Sequence, residues 1–123
     1  MNEKIRALVF RPEKEAEEMW IAGTHEILTG IVGGEITMRN PINDGTVIIC
    51  RNTVDGPNPV PSYVLTNNRG QVVTRFYGTF IVAGLFMKLG ELDSLTDEEI
   101  RMAKQRLKPF LRAESVGGCE RCL

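Results

Sequence analysis

The chain of 123 residues has a single histidine, one tryptophan, two tyrosines and three cysteines. Each scarcity removes a class of answer. Three cysteines, two of them within the last five residues, cannot form the disulfide framework of a secreted mini-protein. No run approaches the roughly 20 apolar residues that a membrane helix requires, and the charged start Met-Asn-Glu-Lys-Ile-Arg lacks the apolar stretch of a signal peptide. A cytoplasmic protein with reduced thiols and no membrane partner is expected. Charge of one sign is also lacking, since 15 Lys and Arg stand against 16 Asp and Glu, a net charge of −1. The totals therefore carry no strong nucleic-acid signal, and any phosphate site would have to be local.

What is present is an ordinary globular composition, 42% hydrophobic and 25% charged, in a length that suits one domain. Residues 1–110 are expected to form that domain and 111–123 a flexible C-terminal tail. Alternation of Ile5, Ala7 and Val9 with Arg6, Leu8 and Phe10 predicts a strand ending at Arg11-Pro12, and Met19-Trp20-Ile21 an antiparallel partner whose tryptophan caps the core edge. Thr24 can cap a helix whose Ile27, Leu28, Ile31 and Val32 form one apolar stripe, with Gly33-Gly34 ending it. Glu35–Met38 and Thr46–Cys50 read as a hairpin joined through Asn43-Asp44-Gly45. Three prolines, Pro57, Pro59 and Pro61, make residues 52–61 an exposed loop.

Tyr63–Leu65 and Gln71–Val73 flank a second turn, Asn67-Asn68-Arg69-Gly70. Phe76 to Leu85 reads as the central strand, with Gly78 inside it for close packing or a bulge. Thr96 and Glu99 make a capping box for a helix running through Ile100, Ala103 and Leu107 to about Lys108, where Pro109 stops it. The order is ββαββ, loop, ββα. The fold class is α+β, a mostly antiparallel sheet of about six strands with two helices covering one face.

Several of these segments together resemble a known family. They are Ile-Val-Gly-Gly at 31–34, the Val-Ile-Ile-Cys strand, the proline loop, Gly-Thr-Phe-Ile-Val-Ala-Gly at 78–84 and Ser-Leu-Thr-Asp-Glu-Glu-Ile at 94–100. The pattern is similar to domain of unknown function three-eight-four-six. The resemblance implies an accessory protein of phages, plasmids or integrated bacterial elements, with no assigned activity. Where such proteins often carry an Asn-Arg pair after the proline loop, this chain has Pro61-Ser62-Tyr63.

Candidate chemistry is sparse. Cys119 and Cys122 have the two-residue gap that lets two thiolates meet one zinc ion, but that is half of a tetrahedral set, so an exposed tail without metal is preferred. His25 lies on a first helical turn beside Glu26, as a solvated surface histidine does, with no nucleophile near it in sequence. No catalytic constellation and no cofactor site emerge, and the leaning is toward a protein that is not an enzyme. Arg69, Arg75 and Tyr77, with Arg51 and Arg39 at other strand ends, could converge on an anion or nucleotide, because guanidinium forks match phosphate and a ring can stack a base. Asp55, Asn58 and Val60 mark the proline loop as a recognition loop. The first reading is binding to a host or mobile-element protein. The alternatives are a small-molecule or nucleotide sequestering or processing protein, and a homodimer paired through open sheet edges.

Overall fold

The computed structural model describes residues 4–41, 45–53, 60–86 and 91–110. The elements are β1 (Lys4–Phe10), β2 (Glu17–Ala22), α1 (His25–Val32), β3 (Ile36–Arg39), β4 (Thr46–Arg51), β5 (Tyr63–Thr66), β6 (Val72–Phe76), β7 (Phe80–Phe86), β8 (Glu91–Asp93), α2 (Asp97–Arg106) and β9 (Leu107–Pro109). Six strands form one antiparallel sheet in the order β2-β1-β7-β4-β3, with β8 also pairing β7. The expected α+β class with its two helices holds. A second sheet of three strands, β6-β5-β9, was not anticipated.

Strand alternation explains how the layers stack. On β1, β4 and β7, Ala7, Val9, Val47, Ile49, Ile81 and Ala83 face Leu28 and Val32 of α1. Leu8, Phe10, Ile48, Phe80 and Val82 face the opposite way, onto Leu65, Phe76, Leu107 and the α2 residues Ile100 and Ala103. The central strands are therefore buried on both faces, which is why they read as nearly continuous apolar runs. The two helices lie on opposite faces of the large sheet, not on one face as expected. The second sheet supplies enough apolar surface to share a face with α2.

Phe10, Phe76, Phe80 and Tyr63 pack between the sheets: Phe10 and Phe80 stack at 4.9 Å, Phe76 and Phe80 at 5.0 Å, and Tyr63 meets Phe10 edge-on at 5.1 Å. Such pairs add about 0.5–1.5 kcal/mol each beyond the area they bury. They fix the separation and register of the two sheets, and so the shape of any cleft between them.

Local signals mostly act as read. The Thr24 hydroxyl accepts from Ile27 N, and Gly33 closes α1 in the left-handed region at φ 93°. Thr96 and Glu99 form the full capping box. Asn67 Oδ1 accepts from the amides of Arg69 and Gln71 and shapes the β5–β6 turn, with Gly70 at φ 79°. His25 is exposed on the first turn of α1.

Four expectations are corrected. The segment from Phe76 to Leu85 is two strands with a turn at Tyr77-Gly78-Thr79, because Gly78 takes φ 70°, which breaks the extended run. Close packing belongs instead to Gly84, where an added Cβ would stand 2.8 Å from Ser94 O and 3.0 Å from Asp93 O. Helix α2 ends at Arg106, and Leu107–Pro109 pair with β5 as β9; the proline fits there because this strand is at a sheet edge. Trp20 is 62% exposed and caps no core, since on β2 it is Ile21 that turns toward α1. Residues 42–44 of the first hairpin turn, Asp55 and Asn58, and the tail 111–123 lie outside the described residues.

Candidate functional site

β3 ends one side of the large sheet and β6 ends the small one, and a cleft of about 600 Å³ opens between these two edges. Register decides what points into it. Thr37 pairs with Cys50 and Arg39 with Ile48, so these four side chains share the face turned toward the second sheet. Ile48 and Cys50 join the core, while Thr37 and Arg39, nearer the edge, line the cleft. Across from them β6 contributes its edge, with Phe76 as buried floor and Thr74 and Arg75 toward solvent.

Tyr77 is set in place by the turn that follows β6. Ser62 N donates to Phe76 O at 2.8 Å, and Ser62 Oγ donates to Gly78 O at 2.8 Å, so both flanks of Tyr77 are tied to the start of β5. Arg51 passes close by: its Cδ lies 4.0 Å from where a Gly78 Cβ would be, and its Nε 3.5 Å from that of Gly34. Both distances are ordinary contacts, so Arg51 runs alongside the two glycines.

Arg39, Arg51, Arg75 and Tyr77 are among the residues that line this concavity, and its described walls carry no carboxylate. Three acidic side chains are engaged elsewhere. Glu18 and Asp97 both bind Arg6, at 2.6 and 2.7 Å, and Glu17 binds Arg11 at 2.9 Å. Among the described residues neither Arg39 nor Arg75 forms an ion pair.

Cys50 lies at the base of the cleft beside Arg39. Burial pushes its thiol above the ordinary range, and the charge of Arg39 offsets this only in part. It remains a neutral thiol at neutral pH, not a thiolate nucleophile.

Of the expected anion set, Arg75, Tyr77, Arg51 and Arg39 meet in the cleft. Arg69 does not line it: it stands exposed on the β5–β6 turn. Val60 of the proline loop is 46% exposed, and Cys119 and Cys122 lie outside the described residues. No three His, Cys, Asp or Glu side chains cluster among the described residues. Thr37, Asn52 and Thr74, which add hydroxyls and an amide to the cleft, were not foreseen. Their only signal was position, since strand ends beside an edge become visible once two sheets are placed together.

A second hollow, about 460 Å³, lies between the β1–β2 link and the α2–β9 junction. Its wall combines Phe10, Ala16, Tyr63, Leu107 and Pro109 with the charged residues Glu13, Lys14, Glu15 and Lys104. The Tyr63 hydroxyl donates to Lys14 O at 2.6 Å, and burial, with Glu15 second, pushes the phenol up. Because that hydroxyl is committed to a backbone carbonyl, it holds the link in place.

Among the described residues no helix is long and apolar enough to cross a membrane. No curated protein and no solved structure matches the chain. Residues 5–108 match the family model described as Domain of unknown function (DUF3846), and the chain belongs to that family.

Proposed function

We propose that this chain acts by binding rather than by turnover, and that its ligand is a small phosphate-bearing molecule, a nucleotide foremost, held in the arginine cleft. The observation that carries the reading is the convergence of Arg39, Arg51 and Arg75 beside Tyr77 in a concavity whose described walls have no carboxylate. Arg39 and Arg75 form no ion pair among the described residues, and the planar forks of guanidinium groups match phosphate oxygens two at a time. The volume lies within the range of small-molecule sites. Turnover by acid–base chemistry would need a base at hand, and the described wall holds no His, Asp or Glu, while burial keeps its Cys50 thiol neutral.

In the setting that the family resemblance implies, such a protein serves a phage or plasmid in the host cytoplasm by sequestering a ligand. A protein partner, from host or mobile element, is the second reading. Trp20 favours it, because a largely exposed indole on the edge strand β2 is a recognition feature. Pairing of two copies through β2 or β3 is a form of that reading, and light scattering on the purified protein separates it.

Thermal unfolding with a millimolar panel of mono-, di- and cyclic nucleotides and pyrophosphate tests the first reading. A ligand at 100 times its dissociation constant stabilises by about 2.7 kcal/mol, well above scan noise. The reading expects such a shift in the unmodified protein and its loss in the Arg39→Gln/Arg75→Gln double variant. No shift anywhere in the panel refutes it.

A further inference from the structure

We infer that the cleft is built for a dinucleotide rather than a single nucleotide, an inference that rests on the anion-binding reading above. A smaller hollow of about 250 Å³ adjoins the main cleft, and Arg39, Thr74 and Phe76 line both. Asn40 and Pro41 complete it. Arg39 therefore stands at the wall between two compartments of different character.

On one side lie Arg51, Arg75 and Tyr77. On the other, apart from Arg39 itself, every described wall residue is uncharged: a proline ring, a threonine, an asparagine and the buried ring of Phe76. Charge is concentrated at the partition and in the larger space, while the smaller suits a flat uncharged group. A mononucleotide has one base and fills one of these compartments. Inorganic pyrophosphate has none and uses only the arginines. A ligand with a charged link at Arg39 and a base on each side uses both: one base against Tyr77, the other against Pro41 and Thr74, the phosphodiester at Arg39 and a further phosphate near Arg75.

A long single strand is disfavoured, because among the described residues no strongly exposed aromatic ring extends from this edge as a platform for further bases. The strongly exposed Trp20 belongs to β2, at the far end of the sheet order from β3.

Isothermal titration at fixed salt tests this with pyrophosphate, a mononucleotide, linear 5′-phosphorylated and cyclic dinucleotides, and a tetranucleotide, each in adenine, guanine and uracil series where a base is present. In at least one series a dinucleotide, linear or cyclic, should bind roughly tenfold or more tightly than the mononucleotide, as one extra stacked base provides. The tetranucleotide should add nothing further. Pro41→Trp, which fills the small hollow from an exposed position, should abolish the dinucleotide gain. Equal affinity for mono- and dinucleotides overturns the inference and leaves the anion-binding reading standing. A gain that continues to the tetranucleotide overturns it in favour of a tracked strand. No binding by any probe overturns both. The length comparison uses the unmodified protein, so it decides the matter even where the variant fails to fold.

Discussion

Arg39 on β3 lies diagonally across from Cys50 on β4, near enough for its charge to oppose the effect of burial on the thiol. The pair joins a core residue to a cleft residue. Cys50 is only 6% exposed and belongs to the core between the sheets, whereas Arg39 carries charge into the space above it.

Cys50 gives a pH dependence of known sign. Burial raises its folded pKa above the ordinary value of 9.0, so the stability it contributes is complete below that pH and is lost as pH rises through the folded value. Tyr63 acts in the same direction from 10.0, burial first and Glu15 second. Urea midpoints should therefore fall on the alkaline side. Cys50→Ala should flatten the lower part of that fall, and peptide-resolved alkylation should find Cys50 in the folded protein slow to react. A midpoint equally steep in Cys50→Ala, with fast native alkylation, contradicts the assignment.

Gly78 and Gly84 should fail for different reasons. At Gly84 a methyl group meets backbone oxygens of Asp93 and Ser94, so Gly84→Ala should cost about 1–3 kcal/mol by overpacking. At Gly78 a Cβ would meet only the Arg51 side chain, at an ordinary contact distance of 4.0 Å, but the backbone has φ 70°. Gly78→Asn should be tolerated far better than Gly78→Val, because asparagine accepts the left-handed region and a β-branched residue does not. Similar losses for Asn and Val would mean that conformation is not the constraint. Urea melts measure all three.

The capping box makes a simpler prediction. Thr96 Oγ1 accepts from Glu99 N at 3.1 Å, and Glu99 Oε1 accepts from Thr96 N at 2.9 Å. Thr96→Ala should destabilise by about 1 kcal/mol, and Thr96→Ser much less, since the hydroxyl is retained. Equal effects of the two substitutions in a denaturant series would assign the cost to the lost methyl.

What was legible in the sequence was whatever local chemistry dictates. Thr24 and Thr96 as caps, Gly33 as a left-handed stop and Asn67 as a turn former depend on neighbours a few residues away. The burial of β1 and β4 on both faces was likewise visible as apolar runs. What escaped depends on partners distant in sequence. Leu107–Pro109 looks like the end of a helix until β5 offers an edge to pair with. The ring of Phe76 continues into an apolar segment, and only the φ of Gly78 separates β6 from β7. For the cleft, guanidinium groups at strand ends could be named, but which of them meet is set by the packing of two sheets. That packing admits Arg75 and leaves Arg69 out on its turn.

The contrast between those two arginines tests the central claim most directly. Both are exposed, and neither forms an ion pair among the described residues, so Arg69→Gln and Arg75→Gln should each move stability by less than about 0.5 kcal/mol. Titration calorimetry with the nucleotide that gives the largest thermal shift should then find affinity unchanged in Arg69→Gln and reduced about tenfold or more in Arg75→Gln, as loss of a charge-assisted contact implies. Equal affinities in the two variants, or a loss in Arg69→Gln alone, would contradict an anion site between β3 and β6.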